Sequence, residues 1–151
     1  MLPPIQPSPG EVVVAETGSG RFAQEVRVGR HMLAADEPLL AGGDDSGPGP
    51  YDYLLAALGA CTAMTVRLVA RRRGLPLIRV AVRLRHNRRH AGDCADCEDH
   101  PQRLDHVEME VMLDGPLDES QRAYLLGVAM KCPVHRTLDA GVHMDMQLVV
   151  S

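Results

Sequence analysis

Four cysteines and a cluster of histidines carry most of the chemistry available to this 151-residue chain. Cys61 lies in an apolar run, Gly59-Ala60-Cys61-Thr62-Ala63. Cys132 directly precedes a proline, in Lys131-Cys132-Pro133-Val134-His135-Arg136. Cys94 and Cys97 close a polar stretch spaced His86-x3-His90-x3-Cys94-x2-Cys97. A thiol can serve as nucleophile, redox partner or metal ligand, and the thiolate is the reactive form in each role. Four cysteines in a chain of this size, expected to be cytosolic, point to reactive thiols or a metal more than to a disulfide framework.

The His/Cys stretch admits three readings. Cys-x2-Cys is the usual knuckle spacing for tetrahedral zinc, and His86 and His90 complete four ligands. A zinc held by four protein ligands has no open position and is structural. Asp93, Asp96, Glu98 and Asp99 add negative charge around it. The order is unusual, with both histidines first, and His86 can equally sit on a strand facing away from the loop. Alternatively, Cys94 and Cys97 form a redox pair that passes electrons to the other two thiols. The third reading is a polar loop with exposed thiols.

The elements that must position Cys61 and Cys132 are legible from pattern. Pro50 suits the first position of a helix, where its missing N–H costs nothing. From there to about Arg73, Leu54, Leu58, Cys61, Thr65 and Leu68 recur at three- and four-residue spacing. This predicts a central helix, buried for much of its length, that ends at Gly74-Leu75-Pro76. Cys61 shares a face with Leu54, Leu58 and Leu68, so it reads either as a small core hydrophobe or as a thiol in an apolar wall. Asp118-Glu119-Ser120-Gln121 reads as a capping box opening a helix to about Lys131. Pro133 then opens a short helix through Leu138, with Cys132 at its N-terminal cap. Unpaired N–H groups and the helix dipole lower a thiol's pKa there, and His135 and Arg136 lie one turn away. An inert junction cysteine is the alternative.

Strands fill the rest. Glu11–Glu16 and Phe22–Val28 flank a Thr17-Gly18-Ser19-Gly20 turn, His31–Ala35 is a third candidate, and Leu39–Pro50 is a glycine-rich loop. In Leu77–Arg89, Ile78, Val80, Val82 and Leu84 alternate with arginines; in Leu104–Leu113, Val107, Met109, Val111 and Leu113 alternate with His106, Glu108 and Glu110. Arginine on one strand and glutamate on the other predict an antiparallel pair joined by the polar insertion His90–Gln102. Val142–Val150 alternates as well and is expected to close the chain as a strand. The plan is α+β with a mostly antiparallel sheet, an extended or disordered lead over residues 1–10 and a single domain over 11–151.

Composition excludes several function classes. The net charge is −4 and aromatics are 3%, so neither a basic footprint nor a base-stacking surface for nucleic acid is expected. Met1–Pro9 has four prolines and no basic residue, unlike a signal peptide. The apolar run Tyr53–Val66 is shorter than the ~20 residues that span a bilayer. A cytoplasmic protein without membrane partners is the expectation. Gly42-Gly43 and Gly47-Pro48-Gly49 lack the spacing of a phosphate loop.

From Phe22 to the C-terminus the chain resembles the OsmC/Ohr family of thiol-dependent peroxidases. The resemblance rests on Gly47-Pro-Gly-Pro-Tyr-Asp-Tyr-Leu-Leu-Ala-Ala-Leu-Gly-Ala-Cys61-Thr-Ala-Met and on Lys131-Cys-Pro-Val-His-Arg-Thr-Leu138, in that order. The stretches around Asp36-Glu37-Pro38 and His86 to Cys94 look like a particular branch of it. The resemblance implies an intertwined homodimer with sites near its interface, Cys61 as the peroxidatic thiol and Cys132 as the resolving thiol. It implies an organic hydroperoxide as substrate, a dithiol as reductant and no cofactor. The chain departs from the family where Pro50 is followed by Tyr51 and Asp52 instead of Glu, and where the N-terminal Arg has no direct counterpart. Arg30 and His31 are the nearby candidates for the thiolate's partner. A non-enzymatic member that binds a ligand or senses thiols or metal is the alternative, and a purely structural dimerisation module explains the cysteines least well.

The metal reading predicts about one zinc per chain in protein purified without added metal or chelator. Elemental analysis that finds none removes that reading.

Overall fold

The computed structural model describes residues 6–87 and 106–149. The chain falls into two compact units, residues 1–54 and 55–151.

The first unit is built on a three-stranded antiparallel meander, β1 (Val12–Glu16), β2 (Gln24–Val28) and β3 (His31–Ala35). Its register sets Val14 opposite Val26 and Val26 opposite Leu33, which places these aliphatic side chains on one face. Val12, Val14 and Leu33 are nevertheless exposed. After β3 the chain is gathered around one buried carboxylate. Asp36 accepts hydrogen bonds from the Ser46 hydroxyl (2.7 Å), the Ser46 N–H (3.1 Å), the Asp44 N–H (3.2 Å) and the Glu37 N–H (2.8 Å). This knot folds the glycine-rich loop, which includes a short 3₁₀ turn at Leu39–Ala41, back on itself and delivers the chain to Pro50.

Helix α1 (Pro50–Arg72) starts at the predicted proline. In its first turn Asp52 accepts a hydrogen bond from the Gly49 N–H at 2.8 Å, which satisfies an otherwise orphaned donor. The Tyr53 hydroxyl donates to the Ala34 carbonyl and ties the helix start to β3. The boundary between the units falls within α1, after Leu54.

In the second unit α1 is followed by β4 (Arg79–Asn87), β5 (His106–Asp114), α2 (Glu119–Ala129) and α3 (Pro133–Ala140). Strands β4 and β5 are the expected antiparallel pair. Arg83 faces Glu110 and Arg79 faces Asp114, each with an N–O distance of 2.9 Å. The opposite face carries Val80, Val82, Leu84, Val107, Met109, Val111 and Leu113 in register. The core forms where Val66 and Ala70 of α1 meet Leu77, Leu117, Leu125 and Ala129, with Val80, Val111 and Leu113 packed against them. Two arginines fix the turns around this core: Arg67 donates to the carbonyls of Leu77 and Ile78, and Arg122 to those of Leu113 and Gly115. Gly115 has φ +141°, and a Cβ there would stand 2.2 Å from the Pro76 carbonyl oxygen, so only glycine fits. The capping box of α2 is complete: Asp118 accepts from the Gln121 N–H, and the Gln121 side chain accepts from the Asp118 N–H.

Three expectations are corrected. Helix α1 is not buried for much of its length within the chain. It buries one stripe, Leu58, Gly59, Thr62, Val66 and Ala70, while Leu54, Met64 and Leu68 are exposed. The many alanines of α1 hid which aliphatic stripe faces inward, because small residues are tolerated on either side of a helix. The helix is also longer than its apolar run and, by length and composition alone, long enough to cross a bilayer; its Val66–Ala70 stripe instead forms part of the core of this unit. Finally, residues 142–149 form no strand. Alternation supplies one apolar side, but a strand also needs an edge to pair with, and none of the described strands pairs with it.

Two stability measurements follow. Leu125 is fully buried at the centre of the core. Leu125→Ala is expected to cost about 2–5 kcal/mol in urea unfolding, the usual range for a lost buried leucine. The hydrogen bond from the Ser46 hydroxyl, above all, holds the Asp36 carboxyl below its ordinary value, joined by the N–H groups of Ser46, Glu37 and Asp44 against the opposing effect of burial. Because the folded form binds this proton more weakly than the unfolded chain, the stabilisation is complete above about pH 4 and is lost as pH falls through the depressed folded value. Asp36→Asn should lower the melting temperature at pH 7 and remove that part of the acid dependence. An unchanged acid profile in the variant would contradict the assignment.

Candidate functional site

The candidate site lies in the second unit, where the middle of α1 meets the junction of α2 and α3. Helix α2 ends at Ala129, and the Cys132 N–H still reaches back to the Ala129 carbonyl at 3.4 Å. Pro133 then occupies the first turn of α3 and leaves Cys132 as its N-cap, with extended backbone angles of φ −62° and ψ 145°. The Cys132 Sγ accepts a hydrogen bond from the His135 N–H at 3.3 Å, in the way a serine or aspartate would cap a helix. The sequence predicted this N-cap placement.

Cys132 is fully buried, unlike an ordinary capping residue. From α1 the Thr62 hydroxyl approaches its sulfur at 3.4 Å. The same hydroxyl donates to the Leu58 carbonyl at 2.8 Å. The Cys61 thiol, one residue before Thr62 on α1, also acts on the Cys132 thiol to lower its pKa. Burial pushes the Cys132 thiol up. Against it act the Thr62 hydroxyl, the His135 N–H, the Cys61 thiol and the Val134 N–H, and together these prevail and hold it below the ordinary thiol value. A backbone donor fixed in a dry environment, such as the His135 N–H, acts strongly on a charge because it needs no reorganisation when the charge appears.

Cys61 is half-buried and stands at the margin of the buried stripe of α1. Its helix neighbours Leu54 and Leu68 are exposed. The reading of Cys61 as a deep core hydrophobe is therefore not the arrangement found. Both thiols are free. Cys132 is buried and hydrogen-bonded to Thr62, and Cys61, the residue before Thr62, reaches the edge of the core. Such a pair can exchange between dithiol and disulfide.

The remaining candidates are placed as follows. Arg30 lies in the turn between β2 and β3, and His31 opens β3 opposite Val28; both are exposed and belong to the first unit. His86 lies on β4 opposite Val107, on the face shared with Val82 and Leu84. His90, Cys94 and Cys97, and with them the metal and redox-pair readings of that stretch, lie outside the described residues. Asp52, in the first turn of α1, has its carboxylate on the Gly49 N–H. Sequence reasoning missed Thr62. The signal was present: Leu58, Thr62, Val66 and Ala70 recur every fourth residue, and a hydroxyl on the stripe that turns out to be most buried demands a partner.

The OsmC-like protein family matches residues 43–147, more than half of the chain and both cysteine motifs. No curated protein sequence matches. Among solved structures, an OsmC-like protein from Mycoplasma pneumoniae is 17% identical, with 85% of this chain and 86% of that chain covered and a TM-score of 0.68. The organic hydroperoxide resistance protein OsmC from Legionella pneumophila is 19% identical, over 83% of this chain and 87% of that one, with a TM-score of 0.59. The organic hydroperoxide resistance protein OhrB of Bacillus subtilis is 16% identical over 83% and 87%, with a TM-score of 0.54. At these identities the structures show a common fold, and the match over residues 43–147 goes further: this α+β chain, with its paired cysteines at α1 and at the start of α3, belongs to the OsmC-like protein family.

Proposed function

We propose that this protein confers resistance to organic hydroperoxides by reducing them with Cys61 and Cys132. The observation that carries the reading is the setting of Cys132, buried at the start of α3 with the Thr62 hydroxyl and the His135 N–H on its sulfur, Thr62 being the next residue after Cys61 on α1. Family membership and the hydroperoxide resistance proteins among its structural relatives support it.

The chemistry runs in three balanced steps. The Cys61 thiolate attacks the peroxide's outer oxygen, the O–O bond breaks, and the alkoxide leaves and takes up a proton as an alcohol; Cys61 becomes a sulfenic acid. The Cys132 thiolate then attacks the Cys61 sulfur, a disulfide forms and hydroxide leaves. A small dithiol finally reduces that disulfide to two thiols by exchange and is itself oxidised to a cyclic disulfide. No metal or cofactor is needed, and the zinc envisaged for His86, His90, Cys94 and Cys97 would be structural. The half-buried position of Cys61 on an aliphatic helix favours alkyl hydroperoxides over hydrogen peroxide. Arg30 or His31 is proposed as the cationic partner that holds the Cys61 thiolate.

The working form is proposed to be a cytoplasmic homodimer. The exposed aliphatic side chains of Val12, Val14 and Leu33, and of Met144, Met146 and Leu148 in the alternating C-terminal segment, are surfaces that a second copy would cover. The alternative, a non-enzymatic ligand-binding or sensing member, is favoured by the commitment of Asp52 to the Gly49 N–H where the family has a Glu at the helix start.

Wild-type protein is expected to consume an alkyl hydroperoxide in the presence of a dithiol. Cys61→Ser should abolish turnover, while Cys132→Ser should complete about one oxidation per chain and then stall. Folded, reduced wild type that consumes no more peroxide than Cys61→Ser would overturn the peroxidase reading and leave the binding or sensing one.

A further inference from the structure

The Thr62 hydroxyl has one proton and two partners. At 2.8 Å from the Leu58 carbonyl it donates there, the back-bonded geometry common for threonine in helices. The Cys132 Sγ, 3.4 Å away, is then served by the hydroxyl's lone pair, and the thiol's own proton makes the bond. This arrangement suits a thiol and fails for a thiolate, which has no proton to give. With Cys132 ionised, the Thr62 proton must turn from the carbonyl to the sulfur.

We propose that Thr62 is a positioning residue whose hydroxyl switches between the Leu58 carbonyl and the Cys132 sulfur, and so makes the buried Cys132 available as the nucleophile that closes the disulfide. The proposal rests on the reading of Cys132 as the resolving thiol. Cys132 is fully buried, so water cannot supply the donor, and Thr62 is itself fully buried beside it. The His135 N–H donates to the sulfur in either state, because a backbone N–H on a helix cannot turn away. Thr62 is therefore the adjustable donor. The switch is local: the Leu58 carbonyl can give up a second partner because a helix carbonyl already has the backbone N–H four residues on.

During resolution the Cys132 thiolate attacks the sulfur of Cys61 sulfenic acid. The S–S bond forms, the S–O bond breaks, and hydroxide leaves with the electron pair. The sulfur loses its charge as it bonds, and the Thr62 proton returns to the Leu58 carbonyl. Helix α1 brings Cys61, while its Arg67 is committed to the carbonyls of Leu77 and Ile78. Lys131, His135 and Arg136 flank Cys132 in the chain, and α2 carries Glu119 and Arg122 only at its far end.

The test is an NMR titration of Cys132 in full-length protein labelled at cysteine Cβ, with the signal assigned through Cys132→Ser. It needs no reagent to reach the buried sulfur and no peroxide. Thr62→Val, which keeps the volume and removes the hydroxyl, should raise the Cys132 pKa by about one unit or more, as expected for a lost hydrogen bond to a charged group. Thr62→Ala should do the same and carries the test if the valine variant does not fold. Thr62→Ser should titrate with the wild type. In single-turnover oxidation, the valine variant should also accumulate Cys61 sulfenic acid about tenfold longer at neutral pH. Unchanged titration in both hydroxyl-free variants would overturn the proposal even if peroxide turnover is normal. A raised pKa in protein that consumes no peroxide would leave Thr62's action on Cys132 standing and remove the peroxidase reading instead.

Discussion

A buried sulfur that needs polar partners constrains the second unit of this protein. Cys132 is out of contact with water, and a thiolate there is tolerable only if fixed donors replace the solvent. The His135 N–H at the N-terminus of α3 is one, and the Thr62 hydroxyl on the face of α1 stands 3.4 Å from the sulfur. Both depend on where α2 stops. Helix α2 ends at Ala129, and Pro133, which cannot continue a helix but opens one readily, restarts the chain in a new direction. The two intervening turn residues, Met130 and Lys131, leave Cys132 at the bend, against Thr62.

The same contacts make the site and the core one object. Val66 and Ala70 of α1 pack with Leu125 and Ala129 of α2. Thr62 is one turn before Val66 on the same stripe, and Cys132 is three residues after Ala129. Any change that shifts α1 against α2 also shifts the hydroxyl against the sulfur. The sheet of this unit holds that packing in register. Arg83 opposite Glu110 and Arg79 opposite Asp114 lie on one face, and Val80, Val111 and Leu113 on the other lie against the core. Exposed ion pairs of this kind contribute little energy, but a slip of one residue would turn every aliphatic side chain to the wrong face.

The first unit solves a different problem. Its loop from Asp36 to Gly49 has too many glycines to hold a shape through side-chain packing. One buried carboxylate instead organises it, by collecting the N–H groups of Glu37, Asp44 and Ser46 and the Ser46 hydroxyl. Asp52 and Tyr53 then secure the start of α1 to the loop and to β3.

Much of this was written in local pattern. Pro50 and the Gly74-Leu75-Pro76 stop bracket α1, the Asp118–Gln121 capping box opens α2, and Cys132-Pro133 marks the cap of α3, because caps and breakers act within a few residues. The Arg/Glu alternation foretold the β4–β5 pair for the same reason: period-two patterning and cross-strand charge are properties of neighbours. What the chain alone left open depended on partners distant in sequence. Alanine on several faces of α1 could not say which stripe turns inward, so Cys61 was placed among Leu54 and Leu68, which are exposed, and Thr62 was passed over. The alternation of Val142–Val149 promised a strand but not an edge to join. Only the tertiary structure brought Thr62 to Cys132 across seventy residues of chain, since a hydrogen bond between helices is fixed by how their apolar stripes pack and not by either sequence on its own.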